Sequence, residues 1–78
     1  MPVHEFCTLA QGLDDESAPA GPVYMYRGIG RCGVGVVLGD DLASAFGALR
    51  VAGWRLVDGH RTSGDGPREC VFTLVRDR

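Results

Sequence analysis

The chain has no lysine. All eight basic residues are arginine, set against ten acidic residues, for a formal net charge of −2 over 78 residues. That removes the amine a glycine-rich loop of the kinase kind needs beside its phosphates. There is no dense basic stripe either, so the chain lacks the means to neutralise a phosphate backbone, and direct nucleic-acid binding is not expected. No apolar run approaches the roughly 18 residues of a transmembrane helix, and the opening Met1-Pro2-Val3-His4-Glu5 lacks the positive start of a signal peptide. The expectation is a soluble, cytoplasmic protein with no membrane association. Cysteine is scarce and odd in number: Cys7, Cys32 and Cys70 cannot all enter a closed disulfide framework. Zinc would want four nitrogen or sulfur ligands with a tight pair, and His4-x-x-Cys7 with scattered Cys32, His60 and Cys70 does not supply that. No metal and no cofactor are expected.

What remains is ordinary in composition, with 45% hydrophobic and 23% charged residues, and it reads as one domain over residues 1–78. A chain this short buries only about 60% of the surface its unfolded form exposes, so stability can draw on a partner or a second copy, including a homodimer. The charge is unevenly placed. Residues 1–20 carry Glu5, Asp14, Asp15 and Glu16 with no arginine, while residues 21–78 hold eight arginines against six acids. The loop Asp14-Asp15-Glu16 could meet a basic partner surface; read blandly, it is a solvated loop.

Residues 3–13 suit a strand through Val3, Cys7 and Leu9 or a helix through Phe6, Leu9, Ala10 and Leu13, and the residue types lean toward a strand. The stretch Gly12 to Pro22, rich in Asp, Ser, Ala, Pro and Gly, reads as a loop. Pro22 to Arg27 is a strand with Val23 and Met25 on one face and Tyr24 and Tyr26 on the other, and Val34 to Leu38 is a second one. Asp40 or Asp41 then caps a helix whose apolar face is Leu42, Ala45, Phe46 and Leu49, stopped by Gly53. Trp54 to Asp58 and Glu69 to Val75 are the last strands, with Cys70, Phe72 and Leu74 on one face. The order β-ββ-α-ββ predicts an α+β, two-layer sandwich: an antiparallel sheet of four to five strands with one helix packed on a face.

The run "LASAFGALRVAGWRLV", followed by a turn and a last strand ending "FTLVRDR", resembles small bacterial domains of unknown function that share a β-α-β-β core with Gly-Trp after the helix. The likeness spans residues 23–78 and rests on Leu49, Gly53, Trp54 and the terminal strand. It implies a fold and no activity, and the N-terminal segment and the glycine-rich strand depart from it.

Gly28-Ile29-Gly30-Arg31-Cys32-Gly33 matches G-x-G-x-x-G, the pattern that cradles phosphates where a strand enters the glycines and a helix leaves them. Here "VGVVLG" follows, which is strand-like. The glycines therefore read as the bend of a hairpin whose tip projects Arg27, Arg31 and Cys32. A cysteine–histidine pair of Cys32 with His60 or His4 would be the nucleophilic option, with Ser44 or Ser63 behind it. The simpler account of each is structural. Tyr24 and Tyr26, with Arg27 adjacent, offer an interface-like surface, since tyrosine and arginine are enriched at interface centres.

These features predict a non-enzymatic interaction or regulatory protein of bacterial or phage origin that docks on another protein. An inhibitor of a host defence complex, such as an anti-CRISPR protein occupying a basic nucleic-acid-binding surface, is one concrete form. The partner-binding candidates are Asp14, Asp15, Glu16, Tyr24, Tyr26, Arg27 and Arg31. The alternative is a small-molecule or enzymatic site at a dimer interface near the glycine-rich hairpin.

Overall fold

A computed structural model of the chain describes residues 3–30, 33–62, 66 and 68–77. Its elements are β1 (His4–Leu13), β2 (Pro19–Arg27), β3 (Val36–Val37), α1 (Leu42–Val51), β4 (Arg55–Arg61) and β5 (Glu69–Asp77). The strands form one antiparallel five-stranded sheet in the order β3-β2-β1-β5-β4, so the fold is α+β with a single helix among the described residues.

The N-terminal segment is the strand of its two readings, and it is the central one. It pairs with β5 from His4↔Asp77 to Gly12↔Glu69 and with β2 from Cys7↔Arg27 to Leu13↔Pro19. Its centre is buried on both faces, Cys7 to Gln11 without a break, which is how a mid-sheet strand looks when something covers each side. The segment expected as a loop from Gly12 to Pro22 is mostly strand. β1 continues to Leu13 and β2 begins at Pro19, leaving residues 14–18 as the turn. Proline is tolerated in β2 because Pro19 opens the strand and Pro22 falls where the register shifts between Gln11 and Leu13, so neither removes a regular rung.

The helix begins and ends as its sequence signals dictate. Asp41, at φ −110° and ψ 112°, accepts from the Ala43 amide and so satisfies one of the free donors of the first turn. At the other end Gly53 adopts φ +94°, the Gly53 N–H donates to the Arg50 carbonyl, and the Trp54 N–H reaches back to the Leu49 carbonyl at 3.0 Å. These two bonds close the helix with a left-handed glycine and launch Trp54 into β4. Ala45 and Leu49 pack into a cluster with Cys7, Leu9, Val23 and Leu74, flanked by Phe46, Trp54 and Phe72. Phe46 meets Phe72 edge-on at 5.0 Å and 81°. Leu9 and Val23 are fully buried, each worth about 1.5–3 kcal/mol relative to exposure.

Two departures bear on function. β3, expected over Val34 to Leu38, is reduced to Val36–Val37, paired only through Tyr24↔Val37 and Met25↔Val36. At the opposite edge, β4 runs to Arg61 rather than stopping at Asp58, and all seven of its residues are exposed. The sheet thus has one short edge and one long one. Among the described residues no helix is long and apolar enough to cross a membrane.

Candidate interaction surface

The acidic loop is the tip of the β1–β2 hairpin. The Asp14 N–H donates to the Ala18 carbonyl and the Ser17 N–H donates to the Asp14 carbonyl, while the Asp14 Oδ1 accepts from the Glu16 and Ala18 amides, both at 2.9 Å. Aspartate suits this role because its short carboxylate reaches amides two to four residues ahead. Arg68 braces the turn from the neighbouring strand connection, through Nη1 to the Asp15 carbonyl and through its own carbonyl, which accepts from the Leu13 N–H. Asp14 therefore spends its charge on the turn. The exposed carboxylates of Asp15 and Glu16 are held out from a hydrogen-bonded frame.

Tyr24 and Tyr26 lie on the sheet face away from the helix, where they sit opposite Ala10 and Thr8 across the β1–β2 ladder. Their rings are 6.5 Å apart. Thr8, Ala10, Val71 and Val75 are buried on this side although the helix does not cover them, so the face carries a second, thinner layer of packing. Phe6, Tyr24 and Val37 remain exposed around it.

The glycine segment supplies part of that layer. The Thr8 hydroxyl, completely buried, donates to the Gly28 carbonyl and accepts from the Gly30 N–H, each at 2.9 Å, and the Gly28 N–H donates to the Phe6 carbonyl. Gly30 needs its freedom here, since φ is +88°. Further on, Gly35 passes so close to Tyr26 that a Cβ would stand 2.8 Å from the ring. In the described part of the motif, then, the Gly30 amide donates to a threonine of the sheet and the Gly28 amide to the Phe6 carbonyl, and no helix follows them before Leu42. A dinucleotide site needs free amides at a helix start, and among the described residues Gly28 and Gly30 offer neither.

Arg27 does not extend the tyrosine surface. It pairs with Cys7, so it points to the helix side of the sheet, and it lines a cavity there with Leu49 and Trp54. The acidic tip and Arg27 lie at opposite ends of β2, nine residues or about 30 Å of strand apart. The structure joins Tyr24 with Tyr26 and separates both from Arg27 and from the acidic tip. Arg31 and Cys32 fall outside the described residues, as does Ser63.

Of the other catalytic options among the described residues, Ser44 and His4 have hydrogen-bond partners and His60 does not. Ser44 donates to Asp41 Oδ2 at 2.7 Å as part of the helix cap. His4 contacts Asp77 at 2.6 Å on the surface, and His60 lies 3.9 Å from Asp58. Burial pushes the Cys7 thiol up to about 11 against a smaller opposing pull from Arg76, so it stays protonated. Among the described residues no group of three or more His, Cys, Asp or Glu side chains could hold a metal ion.

Three residues that sequence reasoning left unlinked meet near the helix C-terminus. Arg76 Nη2 donates to Glu5 Oε2 at 2.6 Å, and its guanidinium lies 4.5 Å from the centre of the Trp54 ring. Glu5 and Arg76 are 71 positions apart, so only the β1–β5 register brings them together. No protein-family model, curated protein or solved structure matches the chain.

Proposed function

We propose that this chain is a non-enzymatic interaction protein of bacterial or phage origin that docks through its acidic hairpin tip on a basic surface of another protein. An inhibitor of a host defence complex, of the anti-CRISPR kind, is the concrete form of this reading. In it, the helix and sheet make a two-layer sandwich that serves as a rigid mount. One observation carries the reading: Asp14 secures the turn, so Asp15 and Glu16 are presented without an ordering cost at the moment of binding. Exposed, salt-screened carboxylates chiefly raise the encounter rate with a positive surface, and a preformed tip retains affinity once contact is made.

The test is capture of partners from a lysate of the source cells at low and at normal salt, with the chain and with an Asp15→Asn/Glu16→Gln variant in parallel. A basic protein retained by the chain, weakened by salt and lost with the double variant supports the reading. Identical capture by both proteins, or none by either, overturns it.

A further inference from the structure

Helix and sheet differ in reach. Ten helical residues rising about 1.5 Å each span about 15 Å, whereas the ten residues of β1 span about 33 Å. The helix therefore cannot roof its side of the sheet from end to end. Where α1 stops, a notch of about 560 Å³ opens against the ends of β1, β2 and β5, at the far end of the molecule from the acidic tip. Its walls combine Glu5, Arg27 and Arg76 with the apolar surfaces of Met25, Leu49 and Trp54.

The polar inventory of the notch is unbalanced. Two guanidiniums face one carboxylate, and the Cys7 thiol adds no charge. Arg76 commits Nη2 to Glu5 and Nη1 to the Ala52 carbonyl, but its Nε is buried and has no hydrogen-bond partner. Arg27 makes no hydrogen bond or ion pair among the described residues. The Arg76 Nε is closed off from solvent, so the donors open to an incoming anion are those of the exposed Arg27 guanidinium, beside the positive charge of Arg76. The apolar walls beside it suit a hydrocarbon body, and the volume falls within the roughly 300–1,000 Å³ of small-molecule sites.

We propose that the notch between the C-terminal end of α1 and the sheet binds a small organic monocarboxylate, with its carboxylate between Arg27 and Arg76 and its hydrocarbon part against Met25, Leu49 and Trp54. Among the described residues the lining holds two guanidiniums and one carboxylate, an excess of positive charge that suits a small anion. This site is separate from the acidic tip, and it stands or falls without the docking reading.

Trp54 is the only tryptophan in the chain; it lines this notch and also a neighbouring cavity with Phe46 and Arg50, so its emission reports binding at either and the Arg27→Gln arm assigns the response to the notch. The full chain is titrated at constant ionic strength with hexanoate, with hexanamide as the uncharged isostere and with acetate as the anion lacking a body. Hexanoate is expected to give a saturable change in Trp54 emission, with hexanamide and acetate each weaker by about tenfold or more, the scale of one charge-assisted hydrogen bond or two buried methylenes. Arg27→Gln should weaken hexanoate about tenfold while leaving the melting temperature unchanged. Arg61→Gln, the same charge change at the other end of the sheet, should leave hexanoate affinity unchanged. No saturable response to hexanoate, equal affinity for hexanamide, or equal weakening by Arg61→Gln would overturn the proposal.

Discussion

Replacing Thr8 by valine isolates what the glycine segment contributes. The two side chains have nearly the same shape, so packing under Tyr26 is retained and only the hydroxyl is lost. That hydroxyl makes two hydrogen bonds, to the Gly28 carbonyl and from the Gly30 amide, and its residue is fully buried. Each bond is worth about 0.5–1.5 kcal/mol net. The substitution should therefore cost about 1–3 kcal/mol. In a domain of this size each kcal/mol shifts the melting temperature by roughly 4–8 °C, so a drop of roughly 4–24 °C is expected. Urea unfolding followed by Trp54 emission and by far-ultraviolet circular dichroism gives the free energy. Amide exchange at Gly30 gives the local effect, and it should accelerate because the segment can rehydrate only by lifting off the sheet. Thr8→Ser, which keeps the hydroxyl, should retain Gly30 protection. A Thr8→Val protein within 0.5 kcal/mol of the parent, with Gly30 exchange unchanged, would refute the argument that this threonine anchors the loop.

Other positions test the remaining parts of the frame. Gln11 is buried and donates through Nε2 to the carbonyls of Gly21 and Asp40, both at 3.0 Å, so it ties β1 to β2 and to the approach to α1. Gln11→Leu should cost about 2–3 kcal/mol in urea unfolding, and a loss below 0.5 kcal/mol would show that those carbonyls find other donors. A Cβ at Gly59 would stand 2.7 Å from the Phe72 ring, so Gly59→Ala should destabilise by about 1–3 kcal/mol and alter the near-ultraviolet signal of the Phe46–Phe72 pair; an unchanged spectrum would contradict the close approach. The Asp41 carboxyl is held below its usual range, first by the Ser44 hydroxyl and then by the Ala43 amide. Because its folded value is the depressed one, its contribution is present above the unfolded value and fades as pH falls through the folded one. Asp41→Asn keeps a capping acceptor but cannot titrate, so its melting temperature should fall less steeply below pH ~4 than the parent's; parallel profiles would remove Asp41 from the acid response.

The parts of the fold that could be read from the sequence are those where one local signal settles the matter. The helix is such a case: Asp41, the spacing Leu42, Ala45, Phe46, Leu49, and Gly53 all agree. The first strand is less so, because burial on both faces erases the alternation that marks a strand, and the helical spacing of Phe6, Leu9, Ala10 and Leu13 competes with residue types that lean toward a strand. The extra length of β2 was hidden by Pro19, Gly21 and Pro22, which advertise a loop unless the register shift beside them is known. The placement of the candidate surface is mixed. The tyrosines face away from the helix as their alternation with Val23 and Met25 requires. Arg27 differs from Tyr26 by one position, so the same period-two rule puts it on the other face; adjacency in sequence was the wrong guide. Glu5, Arg76 and Trp54 could not be linked in advance, since no local pattern encodes a register joining the first strand to the last. Thr8 carried no signal beyond its own identity. Its role appears only once the glycine segment is seen to fold back over it.

The two sheet edges have unequal capacities for adding another strand. β4 offers seven residues along an open side, enough backbone donors and acceptors to hold an added strand. β3 offers two, fewer than a strand of ordinary length uses. A fibre grows only when each added unit presents the next docking edge, which requires both sides of the sheet to be competent. Here a second copy joined along β4 would leave at the outside the side of the sheet where two-residue β3 lies along β2. The brevity of β3 thus leaves β4 as the longer edge strand of the sheet, the side better suited to strand-wise addition.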